Sequence, residues 1–216
     1  MKRILASLLI LVGLWTPAAV AEGPVLVELF SSQNCRSCPK AHRTLKAVSA
    51  DRDDLLVLTW SVDYWDYLGD KDPMAMKESK DRQRGYTDRF GLRGPYTPQT
   101  VYDGREQCAG SKRHNVERAL ERLEEKAALG VDLVRKGNKL RLSGSVPDLA
   151  DIWLVDYLSG EANTTEMVNP VTRVTALGPW LGNSVELDIP VCDSGCAVIV
   201  QESGFGPVLA TMVIAP

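Results

Sequence analysis

Two cysteines three positions apart, in Cys35-Arg36-Ser37-Cys38-Pro39, lie between an apolar run at residues 25–30 and a segment with helical spacing. Proline is tolerated in the first turn of a helix, where the backbone N–H has no partner, and apolar residues then recur every three to four positions. These apolar residues are Ala41, Leu45 and Val48. The pattern therefore predicts a buried strand, a tight loop and a helix whose first turn holds the cysteines.

This placement gives the two cysteines different chemistry. Unpaired N–H groups and the positive end of the helix dipole stabilise a thiolate at Cys35, and the neighbouring Arg36 adds a cation. Cys38, one turn further along, can close a disulfide with Cys35 or attack a mixed disulfide. The motif predicts a dithiol redox site with Cys35 as nucleophile and Cys38 as resolving thiol. A structural disulfide or half of a metal site has the same spacing.

A second segment, residues 90–106, combines a glycine-punctuated turn, Thr97-Pro98, a short strand and an Asp-Gly hairpin signal. It resembles the segment of the thioredoxin superfamily that carries a cis-proline beside the dithiol. The resemblance implies a cis bond before Pro98. It also implies that the backbone of Thr97 faces the dithiol and pairs with an extended substrate.

The first 21 residues have the features of a secretory signal peptide. Lys2 and Arg3 precede an apolar run at residues 4–15, and Ala19-Val20-Ala21 forms a small-residue cleavage site. The run is too short for a membrane span, so we expect no membrane insertion after cleavage. A periplasmic or secreted location follows, in which disulfides persist.

Charge bears on the choice of partner. The chain has 25 basic and 28 acidic residues, for a net charge of −3, and no basic cluster that would follow a phosphate backbone. Nucleic acid is not an expected partner, whereas protein or peptide thiols and disulfides are.

The order of predicted elements divides the chain near Gly130. Strands at 25–30, 55–62 and 100–102 alternate with helices at 39–50, 77–89 and 116–129, which is a βαβ-type arrangement over residues 22–130. In residues 131–216, apolar residues no longer recur at helical spacing. Short strands are predicted there at 131–134, 140–142, 152–157, 185–191, 197–201 and 208–214, as in a β-sandwich or a β-rich extension.

Residues 30–39, 62–69 and 96–99 together resemble a family of exported bacterial proteins, domain-of-unknown-function family 1223, assigned to the thioredoxin-like superfamily. Residues 169–173 and 192–201 resemble its C-terminal half. The resemblance implies an α/β fold, with a thioredoxin-like domain followed by a β-rich, sandwich-like domain or extension. Within the superfamily, Glu28 resembles a buried strand acid near the resolving cysteine, where a negative charge opposes thiolate formation.

Several other residues are candidates with two interpretations each. Tyr64 and Trp65, after the second predicted strand, form a substrate wall or cap the core. His42, four residues after Cys38, shares the helix face of that cysteine or is a solvated helix residue, and the second interpretation is favoured. Cys192 and Cys196 are expected to form a structural disulfide, with a second redox pair as the alternative. Cys108 is then a free thiol or the partner of one of these two.

The residues together favour an exported thiol–disulfide oxidoreductase that needs no cofactor, because the dithiol carries the electrons. One alternative is a soft-metal protein that holds Cu(I) with Cys35 and Cys38, helped by His42 or by Met74 and Met76. The other is a non-catalytic interaction module that uses the β-rich region as its surface.

Overall fold

A computed structural model describes residues 23–124 and 130–214 of the chain. The predicted signal peptide and residues 125–129 of the third predicted helix lie outside these described residues. The helices are α1 (Cys38–Ala50), α2 (Lys77–Arg89) and α3 (Arg113–Glu124). The strands are β1 (Val25–Ser31), β2 (Leu55–Ser61), β3 (Gln99–Tyr102), β4 (Glu106–Cys108), β5 (Val131–Lys136), β6 (Lys139–Gly144), β7 (Ala150–Tyr157), β8 (Val171–Trp180), β9 (Val185–Asp188), β10 (Gly195–Glu202) and β11 (Val208–Ile214).

The strands of the described ranges form three sheets. The first has the order β2-β1-β3-β4, with β1 and β2 parallel and the other pairs antiparallel. The second has the order β11-β10-β7-β8 and is antiparallel throughout. The third has the order β5-β6-β9. No helix within residues 23–124 and 130–214 has the length and apolar character needed to cross a bilayer.

The sheets stack in layers that share buried cores. Helices α1 and α3 cover one face of the first sheet, while its other face packs on the second sheet together with Tyr86 of α2. The far face of the second sheet packs on the third. Strand β10 contributes to both of the cores that flank the second sheet, and it is therefore buried almost throughout.

The predicted fold class, an α/β thioredoxin-like fold, is wrong for this chain. The structure is β-rich, with three sheets and only three short helices among the described residues. An α/β sheet buries both faces under helices, whereas here the face that carries Leu26 and Phe30 packs mainly on β7 and β10. The prediction gave too much weight to the strand–helix alternation of the N-terminal part.

The individual elements agree more closely with the sequence patterns. The helix at 77–89 and the strand at 208–214 have the predicted bounds, and the predicted strands at 25–30 and 55–62 lie within one residue of β1 and β2. Strand β8 was not predicted. Its sequence contains Gly178 and Pro179, which are typical of turns. Buried and exposed residues also do not alternate strictly along the strand.

The edge of β2 is covered by the segment that leads into β8. Thr59 Oγ1 donates a hydrogen bond to the carbonyl of Val168 (2.5 Å), and Asn169 Nδ2 donates to the carbonyl of Val57 (2.9 Å). A parallel bridge joins Thr59 and Pro170. These bonds satisfy backbone groups that an edge strand otherwise exposes, and they attach the C-terminal half of the chain to the first sheet.

A buried ion pair connects the first sheet, α2 and the second sheet. Arg82 on α2 is hydrogen-bonded to both carboxylate oxygens of Glu28 on β1, and its Nη2 also donates to Gln201 Oε1 on β10 (3.0 Å). The Tyr86 hydroxyl donates to Glu28, and Gln201 Nε2 donates to the Tyr86 oxygen (2.9 Å). Glu28 is fully buried and Arg82 nearly so. Each charge is thus compensated inside the core.

Aromatic rings enclose the Arg82 guanidinium. Its central carbon lies 5.1 Å from the ring centre of Trp60, 5.3 Å from Tyr86 and 5.8 Å from Phe205. Cation–π attraction at these distances adds to the ion pair and keeps water out. A side chain at Gly85 would overlap Phe205, since a Cβ there would lie 2.0 Å from the ring. The glycine therefore permits the close approach of α2 to the loop before β11.

Replacing Arg82 with methionine should destabilise the protein strongly, because Glu28 is then a buried carboxylate without its cation. Loss of one partner of a buried pair costs about 3–5 kcal/mol. We expect the free energy of unfolding in urea to fall by that amount in Arg82→Met. The double variant Glu28→Leu/Arg82→Met should recover part of the loss. A decrease below about 1 kcal/mol in the single variant would contradict this interpretation of the network.

A half-buried acid, Asp103, closes the hairpin between β3 and β4. Asp103 has a positive φ of 44°, and its Oδ1 accepts a hydrogen bond from the backbone N–H of Leu26 (2.7 Å). Its backbone carbonyl accepts from the N–H of Val208 (2.8 Å). Burial raises the pKa of Asp103 to about 7. The turn is therefore linked to β1 by a carboxyl group that resists ionisation and to β11 by its backbone carbonyl.

Replacing Asp103 with asparagine should change how stability depends on pH. The folded protein keeps the proton up to about pH 7, whereas an ordinary carboxyl releases it near pH 3.8, so stability falls as the pH rises between these values. Asparagine keeps an acceptor for Leu26 and tolerates positive φ. We expect Asp103→Asn to be more stable than the parent by about 1–4 kcal/mol at pH 8. The two proteins should unfold alike in urea at pH 4.

Candidate functional site

The cysteine pair lies at the start of α1. The helix begins at Cys38, with Ser37 as its N-cap and Pro39 in the first turn, and a disulfide joins Cys35 to Cys38. Cys35 is 5% exposed and Cys38 only 1%. Arg36 is exposed beside them, and Ser37 Oγ lies 3.6 Å from Cys35 Sγ. The sulfur that is nearer to solvent is thus the one in the loop before the helix.

A second loop holds the cysteine loop in place. The backbone N–H of Gln33 donates to Asp72 Oδ2 (2.8 Å), and Asn34 Nδ2 donates to the carbonyl of Asp70 (2.8 Å). Asp72 is held in turn, because its N–H donates to Asp66 Oδ1 (3.1 Å). Gly69 leaves room for this contact, since a Cβ there would lie 2.6 Å from Asn34 Oδ1. Residues 66–72 therefore fix the backbone before Cys35.

The proline segment reaches the same edge of the sheet. Strand β3 is antiparallel to β1 with Gln99 opposite Phe30, so Pro98 lies beside the end of β1 from which the cysteine loop starts. The Thr97–Pro98 peptide bond is cis, as the resemblance implied, and Pro98 is buried. Trp65 Nε1 donates a hydrogen bond to Thr97 Oγ1 (2.7 Å). The structure thus brings Trp65, Thr97 and Pro98 together.

Aromatic rings continue from this contact toward the surface. The ring centres of Tyr64 and Trp65 are 5.8 Å apart, and those of Trp65 and Tyr67 are 6.1 Å apart. Tyr64 is half-buried and burial raises its pKa, whereas Tyr67 is 75% exposed. Leu68 next to it is also exposed. The loop therefore offers an accessible aromatic surface whose base is anchored to Thr97.

The prediction that His42 is a solvated helix residue is wrong. His42 lies four residues after Cys38 on α1 and faces the first sheet, where its Nε2 and Ser31 Oγ share a hydrogen bond of 2.9 Å. Burial lowers the pKa of His42 to about 4. Because the helix packs on β1, the side chain at this position is only partly exposed and its ring is turned toward Ser31. The imidazole is therefore neutral at physiological pH.

Glu28 occupies a different place from that expected beside the resolving cysteine. Successive residues of a strand face opposite sides, and Val27 and Leu29 pack against α1. Glu28 therefore points away from the helix that carries Cys38, toward Arg82 and Tyr86. Its charge is compensated by Arg82 rather than directed at the disulfide.

A second disulfide lies at the start of β10. It joins Cys192 to the buried Cys196, whose sulfur lies 3.3 Å from Asp156 Oδ1. Arg173 donates two hydrogen bonds to the Asp156 carboxylate (2.9 and 3.0 Å). Among the described residues, Asp156 and these two cysteines form the one group of three close metal-ligand types. The two sulfurs of this group are bonded to each other in the disulfide.

Cys108 is the free cysteine of the described residues. Its sulfur lies 3.3 Å from the Tyr102 hydroxyl and accepts a hydrogen bond from the Gly110 N–H (3.4 Å). This half-buried thiol on β4 is thus held by local contacts, and neither disulfide includes it.

Comparison with known proteins places the chain in a family. Residues 26–201 match the family described as "Protein of unknown function (DUF1223)", and the chain belongs to that family. A crystal structure of protein AGR_C_4864 from Agrobacterium tumefaciens is 27% identical, with a TM-score of 0.74, and the alignment covers 90% of this chain and 95% of that one. No curated protein matches the sequence.

A more distant likeness concerns the fold alone. The structure of HBP35 of Porphyromonas gingivalis has a TM-score of 0.57 at 10% identity, and the alignment covers 90% of this chain and 75% of that one. The shared architecture is therefore not limited to closely related sequences.

Sequence reasoning did not find the residues that hold the site in place. Asp72 and Asn34 act through backbone groups of another loop, and Arg82 lies in a helix whose sequence is strongly polar. One signal was available for Arg82, because Glu28 stands alone in the apolar run VLVELF and a buried acid requires a cation. The choice among the basic residues needed the tertiary structure.

The His42→Gln variant should lose less stability in acid than its parent. An imidazole with an ordinary pKa of 6.5 takes up a proton in the unfolded chain as the pH falls, whereas the folded protein resists it down to about pH 4. The contribution of neutral His42 to the free energy of unfolding is fully present above pH 6.5 and is lost as the pH falls from 6.5 to 4. We expect the decrease in the free energy of unfolding over this pH range to be about 3 kcal/mol smaller in His42→Gln than in the parent.

The comparison is best made in an Asp103→Asn background, because Asp103 contributes the opposite pH dependence over the same range. Urea unfolding at pH 7 and pH 4 gives the two free energies. An unchanged difference between these pH values after His42→Gln would show that the imidazole is not buried as described.

Proposed function

We propose that the protein is an exported thiol–disulfide oxidoreductase, with Cys35 as nucleophile and Cys38 as resolving cysteine. The observation that carries the proposal is the position of the Cys35–Cys38 disulfide, at the first turn of α1 and at the sheet edge that also carries Thr97 and Pro98. A purely structural disulfide needs neither a helix N-terminus nor an adjacent aromatic surface.

The disulfide can accept two electrons from a substrate dithiol. A substrate thiolate attacks Cys35 Sγ, a mixed disulfide forms, and Cys38 leaves as a thiolate that takes up a proton. The second substrate thiolate then attacks the substrate sulfur of the mixed disulfide, and Cys35 leaves. The substrate is oxidised to a disulfide and the protein is reduced to a dithiol. The reverse sequence reduces a substrate disulfide, and no cofactor takes part in either direction.

The surroundings favour Cys35 as the exchanging sulfur. Attack requires access, and Cys35 is the more exposed of the pair. As the leaving group it gains from the positive end of α1 and from Arg36, and the first turn of the helix holds no acidic residue. The nearest strand acid, Glu28, has its charge compensated by Arg82 on the other face of the sheet. These features stabilise a thiolate.

The docking residues are Thr97 and Pro98, with Tyr64 and Trp65 beside them. An extended polypeptide can pair with exposed backbone next to a buried proline, and aromatic rings add apolar contact area. The proposed partners are therefore protein or peptide thiols and disulfides. A periplasmic or secreted location suits this chemistry, because disulfides persist there.

Alkylation of the reduced protein tests the proposal. In Cys38→Ser, Cys35 should react with iodoacetamide at a rate that reaches half its maximum well below pH 8.5, the value for an ordinary thiol. The same variant should attack a disulfide-linked peptide dimer, form a mixed disulfide at Cys35 and release the other half of the dimer as a thiol, whereas Cys35→Ser should form none at this site. Both measurements use mass spectrometry of the intact protein.

Cys108→Ser serves as the matched control, because it removes the remaining free thiol and leaves the pair intact. It should equilibrate with a glutathione redox buffer as the parent does. A Cys35–Cys38 pair that does not exchange with glutathione, or a Cys35 that alkylates only as an ordinary thiol, would refute the proposed function.

A further inference from the structure

The exposed face of α1 is positively charged, although the chain as a whole is acidic. The helix sequence CPKAHRTLKAVSA contains no acidic residue, and Lys40, Arg43 and Lys46 are exposed along it. Arg36 is exposed just before its first turn. The chain as a whole is acidic, with a net charge of −3. Basic residues are therefore concentrated on the helix that begins at the disulfide.

Three of these residues, Arg36, Lys40 and Arg43, form a basic stripe. Lys40 and Arg43 are three residues apart on α1, a spacing that places side chains on one face of a helix, and Arg36 lies in the turn just before the helix begins. The stripe borders a shallow groove of about 390 Å³. The groove is lined by Lys40, Arg43, Thr44, Ala47 and Arg113. It runs from the disulfide end of α1 toward the start of α3.

The charges of the stripe are not satisfied within the molecule. Among the described residues, no carboxylate lies within ion-pair distance of Arg36, Lys40 or Arg43. Arg113, at the far end of the groove, is different, because it is paired with Asp51 (2.7 Å) and Glu117 (2.6 Å). The end of the groove nearer to Cys35 thus has free positive charge.

The other side of the disulfide has the opposite charge. The loop that holds the cysteine loop contains four acidic residues and one basic residue in positions 63–72. A continuous polyanion such as a nucleic acid would meet this loop and be repelled by it. A polypeptide can place its acidic residues on one side of its cysteine only, and it therefore fits this distribution of charge.

We infer that the groove at Lys40 and Arg43, together with Arg36 in the turn before α1, is a docking groove for an acidic segment next to the reacting cysteine of a substrate polypeptide. This inference rests on the proposed function of Cys35 and names the class of substrate. The helix rises about 1.5 Å per residue between Lys40 and Arg43, and Arg36 is joined to the helix by a short turn, so the stripe is roughly 10 Å long, about three residues of extended peptide. Acidic residues two to four positions from the substrate cysteine meet the stripe.

The test measures the reaction of oxidised protein with two cysteine peptides. One peptide has three glutamates at positions two to four from its cysteine, and the other has glutamines there. Each second-order rate constant is divided by the rate of the same peptide with hydroxyethyl disulfide, which corrects for the effect of the glutamates on the peptide thiol. At low ionic strength we expect the corrected rate to be about tenfold higher for the acidic peptide. Half-molar salt should remove most of this preference.

One charge-reversal and one charge-neutralising variant show whether α1 is responsible, and a second charge-reversal variant elsewhere is the control. Lys40→Glu/Arg43→Glu should abolish or invert the preference for the acidic peptide, and Lys40→Gln/Arg43→Gln should reduce it. The control Lys136→Glu/Arg141→Glu changes net charge equally at exposed positions on the third sheet. It should keep the preference. Arg36 is left unchanged in all variants, because it also affects the Cys35 thiolate.

The outcomes separate the two proposals. Equal corrected rates for the two peptides, or an equal loss of preference in both charge-reversal variants, would overturn the docking groove and leave the redox function intact. If neither peptide reacts, the proposed function fails. Binding of serine-containing versions of the peptides, measured by fluorescence anisotropy, then decides the groove alone: tighter binding of the acidic peptide supports it and equal binding overturns it.

Discussion

The architecture depends on one buried ion pair, between Glu28 on β1 and Arg82 on α2. Two charges in a core are stable only when they compensate each other and their remaining hydrogen-bonding groups are satisfied. Tyr86 and Gln201 supply those partners, and Gln201 belongs to the second sheet. The pair therefore joins three elements that are distant in sequence. The layers of the protein meet at a polar contact inside an otherwise apolar core.

The position of this pair also affects the candidate site. Because Arg82 holds Glu28 on the face opposite α1, the other face of β1 is free for the helix that carries Cys38. The cysteine loop then rests on the loop at residues 66–72, and Trp65 of the same connection reaches Thr97. Two connections that follow β1 and β2 thus meet at one sheet edge. The site is a product of strand order rather than of any single motif.

The sequence patterns located most elements because buried strands and amphipathic helices leave local periodic signals. Strand β11 and helix α2 have the predicted bounds, and the cysteine pair lies at a helix start as the spacing indicated. The fold class was wrong for a physical reason. Periodicity reports which residues of an element are buried, but it does not report whether a helix or a second sheet covers them. The face with Leu26 and Phe30 is covered largely by strands.

What the sequence determined by itself is local: a dithiol at a helix start, a proline before a short strand, and a buried acid in an apolar run. These features depend on neighbouring residues, through backbone hydrogen bonding and side-chain spacing. The tertiary structure decided the partner of that acid, the burial of His42, the contact of Trp65 with Thr97 and the pairing of Asn34 with Asp70. Each of these brings together residues from different elements. Such contacts form only after the layers have packed, because packing is what brings these segments within hydrogen-bonding distance.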